Sequence, residues 1–405
     1  MAGRRTARVQ SLAGIGVDRM GALASQKEES STAAPKAGEK HEKPLRLENL
    51  DTDVPPHPVA LKATTKAISN KEDNSYLPFI GQLGLRNAAA AHVSRLAGGV
   101  KYSGEENCCI TAGGLSGVLN TLFATVEPGE GVLLTDPTYI GLINRVKLVG
   151  AVPVLFPVEF RPGEPWRFPR EKLLSFIESK EKEGIKIKTL LLSSPALPSG
   201  LYLDKEDWQA VADVCISRDL LLIYDVAFER LLFDGRPVIH PASFPGMEQR
   251  TIIVVSASKE LRLIGWRVGW IVGPKWIISD IQLVGMANVV VPVGIGQKAA
   301  QAALEHSGSD KDCVDFTKEL EARRDLLMKE LERLPVGIPA GGWSFVLRVD
   351  NGKAASTALM EEGIYVTSMD GWGSDGESFI RFVFSNEPCD RLKGIGEKVR
   401  KALKI

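Results

Sequence analysis

Five short runs, residues 132–135, 152–156, 189–192, 220–224 and 252–255, are apolar throughout rather than alternating. Strands read this way when both faces of their sheet are covered. The stretches between them are longer and amphipathic: Leu115, Val118, Leu119, Leu122, Phe123 and Val126 recur at helical spacing, as do the apolar residues of 208–216. Strands separated by helices imply a parallel sheet with right-handed crossovers, and so an α/β domain. After about His306 the texture changes. A long charged helix (311–334), strand candidates at 343–349 and 379–384, and a closing helix from Arg391 read as a second, smaller α+β domain. A chain of 405 residues is long enough for both.

Lysine plus arginine equal aspartate plus glutamate at 50 each. No net field therefore recruits nucleic acid or an anionic membrane, and any phosphate site must be built locally. The five cysteines include the adjacent Cys108 and Cys109 but form no CxxC pair, and the five histidines are scattered, so no metal centre is expected. An odd cysteine count points to reduced thiols and a cytoplasmic or similar compartment. No apolar run approaches membrane-spanning length. The first ten residues are basic and lack acids, as transit peptides do. Residues 17–24, however, read as an amphipathic helix, which favours an ordered arm. Residues 26–43, rich in Glu, Lys, Ser and Ala, cannot bury enough apolar surface to offset ordering and read as a mobile linker.

In open α/β sheets, ligands bind outside the carboxyl ends of the strands. The unusual residues of this chain gather there. The strand ending at Thr111 runs into Gly113-Gly114 and a helix from about Leu115, where backbone N–H groups and a helix N-terminus meet an anion. The strand ending at Thr135 is followed by Asp136-Pro137-Thr138-Tyr139, and that ending at Leu192 by the segment from Ser193 to Gly200. The strand 220–224 delivers Asp225. The strand 252–255 delivers Ser256-Ala257-Ser258-Lys259, and Gly265-Trp266-Arg267-Val268-Gly269 follows, its glycines and Trp266 suggesting a buried anion partner for Arg267. An anion cradle, two serines, an arginine, an aromatic ring, an aspartate and a lysine suit a phosphorylated pyridinium aldehyde, pyridoxal 5'-phosphate. Its phosphate would take the cradle, Ser256 and Arg267, its ring would stack on Tyr139, its ring nitrogen would pair with Asp225, and its aldehyde would form a Schiff base with Lys259.

At these residues the chain resembles the fold-type I pyridoxal-phosphate enzymes, specifically the class I/II aminotransferases related to aspartate aminotransferase. The likeness runs from about Leu47 to the C-terminus. It includes Tyr76-x-Pro78-x-x-Gly81-x-x-x-Leu85-Arg86, Gly113-Gly114, Asp136-Pro137-Thr138-Tyr139, Pro198-Ser199-Gly200 and Asp225, then Ser256-x-Ser258-Lys259, Gly265-x-Arg267-x-Gly269 and Arg381 in Phe379-Ile380-Arg381-Phe382. The resemblance implies a large domain with a mainly parallel sheet and a smaller α+β domain. The chain would divide as arm and linker (1–43), a small-domain segment (44–58), the large cofactor-binding domain (59–305) and the small C-terminal domain (306–405). It implies that Gly113, Gly114 and Leu115 border the phosphate with Ser256, Ser258 and Arg267. Tyr76 would reach the cofactor of a neighbouring subunit in a homodimer, and Arg381 would grip the substrate carboxylate. Lys259 would be the base at the α-carbon and Asp225 the partner of the ring nitrogen.

Three positions depart from the family pattern. Leu197 and Phe228 replace an asparagine and a tyrosine that donate to the cofactor's 3' oxygen, and Leu50 stands where a glycine usually lines the substrate site. Without those donors the cofactor imine should hold its proton to higher pH. The leading reading is transfer of the α-amino group of an amino acid to a 2-oxo acid. The alternative is elimination or replacement, cyclisation, decarboxylation or oxidation on the same cofactor. Ser256-x-x-Lys259 also fits the SxxK pattern of penicillin-binding serine enzymes, but their Lys-Thr-Gly companion is absent. Trp166, Trp208, Trp276 and Trp372 read as packing.

Overall fold

The structure is a computed structural model and describes residues 5–31 and 43–405. Each apolar run forms a strand. In chain order the strands are β1 (Cys108–Thr111), β2 (Gly131–Asp136), β3 (Val152–Pro157), β4 (Ile187–Leu192), β5 (Leu221–Val226), β6 (Thr251–Ser256) and β7 (Gly269–Val272). They build one seven-stranded sheet in the order β1-β7-β6-β5-β4-β2-β3. All neighbours are parallel except β7, which runs antiparallel to both β1 and β6. The chain thus has the expected α/β fold with a mainly parallel sheet. β7 escaped the sequence reading because Gly269 looks like the end of a turn, whereas it opens a strand.

Helices cover both faces of the sheet, and their apolar residues form two clusters with it. Among them, Gly114–Thr125 and Lys205–Ser217 match the periodicity read from the sequence. Asp204 caps the second of these through a reciprocal capping box with Asp207.

The C-terminal part carries its own core. Strands β8 (Val336–Gly337), β9 (Ser344–Arg348), β10 (Thr367–Ser368) and β11 (Phe379–Val383) form an antiparallel sheet in the order β10-β11-β9-β8. The helix Ser309–Glu330 packs on it with Phe316, Leu320 and Leu327. The expected closing helix is two pieces, Cys389–Leu392 and Ile395–Leu403, divided where Gly394 takes φ +77°.

The expected linker 26–43 is corrected at its start: residues 26–31 continue the helix Gly16–Ser31. Its segment 32–42 lies outside the described residues. The helix agrees with the amphipathic reading of 17–24, and its Ala24 is fully buried. Just ahead of it, the backbone of Ala13 exchanges two hydrogen bonds with the Asn144 side chain, at 3.1 and 2.7 Å. No helix among the described residues is long and apolar enough to cross a membrane.

Candidate active site

A cavity of about 200 Å3 opens at the carboxyl ends of the large sheet's parallel strands, where the topology places ligands. Gly114, Leu115, Tyr139, Asp225, Ser256, Ser258, Lys259 and Arg267 all line it, as do Leu50, Leu197 and Phe228. Residues far apart in sequence converge because most of them lie at or just beyond the ends of strands of one sheet.

At one end sits a backbone cradle. Gly113 takes φ +85°, and the helix Gly114–Thr125 begins with no side-chain cap, so its first N–H groups remain available to an anion. A Cβ on Gly113 would stand 2.8 Å from the Arg267 guanidinium, and one on Gly114 3.0 Å from Cβ of Ser256. Arg267 itself takes φ +53°, uncommon for a residue with a side chain, and its Nη1 donates to the Ile264 carbonyl at 3.0 Å. Arg267 lines the cavity and is exposed in the single chain.

Asp225 lies within β5 rather than beyond it, and its carboxyl faces the cavity. Burial pushes its pKa up to about 6, against the opposing pull of the Arg145 charge and a hydrogen bond with Ser193. Such a carboxyl is poised for a cation that is not supplied by a closer side chain. Lys259 is the counterpart. Its amine donates to the Leu50 carbonyl at 2.9 Å and lies 4.5 Å from the centre of the Trp343 ring. Burial pulls its pKa down to about 7, helped by Arg381 and Arg267 and opposed by Asp51. A neutral amine is therefore accessible near neutral pH, which a nucleophile or base requires.

Arg381 stands behind the cavity's lining, close enough to Lys259 and Tyr139 for their charges to act on one another. It is fully buried on β11, where one Nη donates to the Glu48 carbonyl at 2.5 Å and its guanidinium stacks 4.7 Å from the Trp372 ring. Its Nε and other Nη make no hydrogen bond among the described residues. Burial lowers its pKa to about 10, with Tyr139 and Glu48 acting the other way. Two idle donors on a buried cation are expensive unless a ligand uses them. Tyr76 is 83% exposed and stands outside the cavity. Tyr139 lines the cavity and meets Trp372 edge-on at 5.3 Å. Trp372, read from the sequence as packing, thus contacts both Tyr139 and Arg381.

Two residues escaped the sequence reading. Arg145, the lone arginine in the helix Ile140–Leu148, bonds the carbonyls of Leu115 and Gly141, each at 2.8 Å, and its charge acts on Asp225. Trp343, just ahead of β9, places its ring beside the Lys259 amine, and the sequence showed it only as the first residue of a strand candidate.

These features fit pyridoxal 5'-phosphate: a glycine cradle that a Cβ would fill, a buried carboxyl raised toward neutrality, and an amine lowered toward it. Leu197 and Phe228 offer the cavity no donor from their side chains.

Residues 46–393 match the family described as aminotransferase class I and II. The chain is 29% identical to an aspartate aminotransferase of Pyrococcus abyssi, over 91% of this chain and 93% of that protein. It is 29% identical to an aromatic-amino-acid aminotransferase of Thermococcus litoralis, over 89% of this chain and 91% of that one. Its structure is similar to that of N-succinyldiaminopimelate aminotransferase from Mycobacterium tuberculosis, with a TM-score of 0.87 and 25% identity over 98% of this chain and 100% of that one.

Proposed function

The chain belongs to the aminotransferase class I and II family, and from that premise we infer that the cavity around Lys259 and Asp225 is where it transfers amino groups. It is a pyridoxal-phosphate-dependent aminotransferase of fold type I, acting between an amino acid and a 2-oxo acid. The observation that carries the placement is one cavity lined by an amine that burial pulls down to about 7, a carboxyl that burial pushes up to about 6, and a glycine cradle. When bound, the cofactor supplies an aldehyde that captures amines and a pyridinium ring that withdraws electrons from the α-carbon.

The residues divide that work. The N–H groups following Gly113, with Ser256, Ser258 and Arg267, hold the phosphate. With pyridoxal phosphate bound, Tyr139 would stack on its ring and Asp225 would hold its ring nitrogen protonated. The idle donors of Arg381 bind the substrate's α-carboxylate, which orients the α-hydrogen toward Lys259. The Lys259 amine then takes that proton from the α-carbon and returns it. Leu50, Leu197 and Phe228 form an apolar wall that excludes water.

The active unit is a homodimer in this reading. Gly294 abuts Asp73 and Leu77, so the segments carrying exposed Tyr76 and Phe79 and exposed Val289, Val290 and Val293 lie side by side. An apolar patch of that kind suits a second copy, and Tyr76 would then serve the neighbour's site. The division at about residue 306, with 44–58 joining the C-terminal part, draws support from two contacts. Leu45–Arg46 pairs with Ile364–Tyr365, and Arg323 grips Asp53 through two bonds of 2.7 and 3.2 Å. A cytoplasmic location agrees with five unpaired cysteines, four of them buried.

The test is borohydride reduction of the holoenzyme followed by peptide mapping, together with a panel of amino-acid donors and 2-oxo-acid acceptors. A pyridoxyl adduct on Lys259 and stoichiometric exchange of amine for ketone are expected. An adduct elsewhere, or ammonia released without a new amino acid, overturns the reading.

A further inference from the structure

The Lys259 amine, just beyond the end of β6, meets a ring that lies just ahead of β9. Trp343 immediately precedes β9 and is fully buried. It is wedged between Phe228 at 5.9 Å and the edge of Phe316 at 6.0 Å, with Arg262 above Phe316 at 4.8 Å. Its carbonyl accepts from the Phe384 N–H at 2.9 Å, which fixes the backbone. Packed against Phe228 and Phe316 in the core of the C-terminal part, the ring is held beside the Lys259 amine, 4.5 Å from its centre. The amine's other contact is the Leu50 carbonyl at 2.9 Å.

We propose that the indole face of Trp343 and the carbonyl of Leu50 form a berth for the Lys259 amine, which makes Trp343 a positioning residue for the reactive lysine. This rests on the reading of Lys259 as that lysine.

The berth has an electrostatic consequence. An indole face is electron-rich and favours an ammonium over a neutral amine. Burial and the guanidiniums of Arg267 and Arg381 push the other way, while Asp51 sides with Trp343. Trp343 therefore keeps the amine's titration from sliding to still lower pH. A group that must accept a proton and return it works best when both of its forms are populated. Since Trp343 is carried by the small sheet, the proton affinity of Lys259 depends on how that sheet sits against the large one.

The experiment uses the full chain freed of cofactor. Reductive methylation with formaldehyde and cyanoborohydride is run across a pH series, and modification at Lys259 is read by peptide mass spectrometry. Borohydride labelling by pyridoxal phosphate on the same preparation first establishes whether Lys259 is the reactive amine, independently of Trp343. Trp343→Leu is expected to lower the titration midpoint by about half to one pH unit, whereas Trp343→Phe, which keeps an aromatic face, restores most of it. Chain grown on fluorinated tryptophan keeps the shape of the ring and weakens its face. It should show the downward shift in the wild type and none in Trp343→Phe. That arm carries the test if Trp343→Leu fails to fold. A midpoint unmoved by fluorination, or moved equally by Phe and Leu, overturns the proposal.

Discussion

Gly269 and Gly113 meet backbone to backbone: a Cβ on Gly269 would stand 2.7 Å from the carbonyl carbon of Gly113. The same Cβ would be 2.7 Å from the Gly114 nitrogen and 2.6 Å from the Val255 carbonyl oxygen. The antiparallel strand β7 thus props the cradle from behind, and only a residue without a side chain lets it come that close.

Gly269→Ala is therefore expected to displace the cradle. Overpacking of this kind costs about 1–3 kcal/mol. Thermal unfolding with and without pyridoxal phosphate checks it: the midpoint falls in both, and the stabilisation by cofactor shrinks. An undiminished cofactor effect would show that the Gly113–Gly114 turn does not hold the phosphate.

Lys259→Met is expected to stabilise the cofactor-free chain, more at pH 6 than at pH 10. In the unfolded chain the amine titrates near 10.5 and in the folded chain near 7. Between those values the unfolded state binds the extra proton, so stability rises with pH, and the full penalty is present below about 7. Methionine fills similar space with no charge. Unfolding midpoints across this range for both chains give the answer, as does loss of the borohydride adduct.

Asp225→Asn behaves in the mirror sense. The folded carboxyl titrates near 6 and the unfolded one near 3.8, so the penalty develops as pH rises through that window and is complete above 6. Without cofactor the variant should gain stability over the wild type between pH 4 and 7. With cofactor the order reverses, because the ring nitrogen loses its counter-charge. Titration of cofactor binding by absorbance checks this; equal affinity in the two chains would remove Asp225 from its assigned role.

Arg381→Leu should leave cofactor binding intact and raise KM for amino acid and 2-oxo acid alike. Loss of one partner from a buried, hydrogen-bonded charge pair costs roughly 2–5 kcal/mol, or about 30- to several-thousand-fold in kcat/KM. Its idle Nε and Nη are the reason. Steady-state kinetics with a fixed cosubstrate would reveal a smaller, kcat-only loss if Arg381 served only the fold.

Leu197 and Phe228 both line the cavity, so neither sequence departure is remote from the cofactor. The bound cofactor is expected to stay yellow across the neutral range. Phe228→Tyr and Leu197→Asn together restore donors and should lower the pH at which the colour fades. An absorbance titration in which wild type already fades near or below neutrality refutes the idea.

Legibility in the sequence followed burial. The runs that became β2 to β6 are apolar on both faces, and such runs can form little except covered strands. Asp225, Ser256, Ser258 and Lys259 stood out because they lie at or just beyond the ends of two of those strands. β7 did not stand out, since its glycine start resembles a turn and an antiparallel insertion leaves no periodicity of its own. Arg145 and Trp343 were hidden for another reason. Each acts through a neighbour from a distant segment, and local pattern carries no trace of that.

The sequence by itself determined the fold class, the family and most of the residues found lining the cavity, because apolar periodicity and short-range motifs are local properties of the chain. The tertiary structure alone decided what those groups experience. Burial sets Lys259 near 7 and Asp225 near 6, the Trp343 face meets the amine, and Arg381 keeps two donors idle. Desolvation and charge coupling depend on what surrounds an atom in space, and segments hundreds of residues apart supply those surroundings only after the chain has folded.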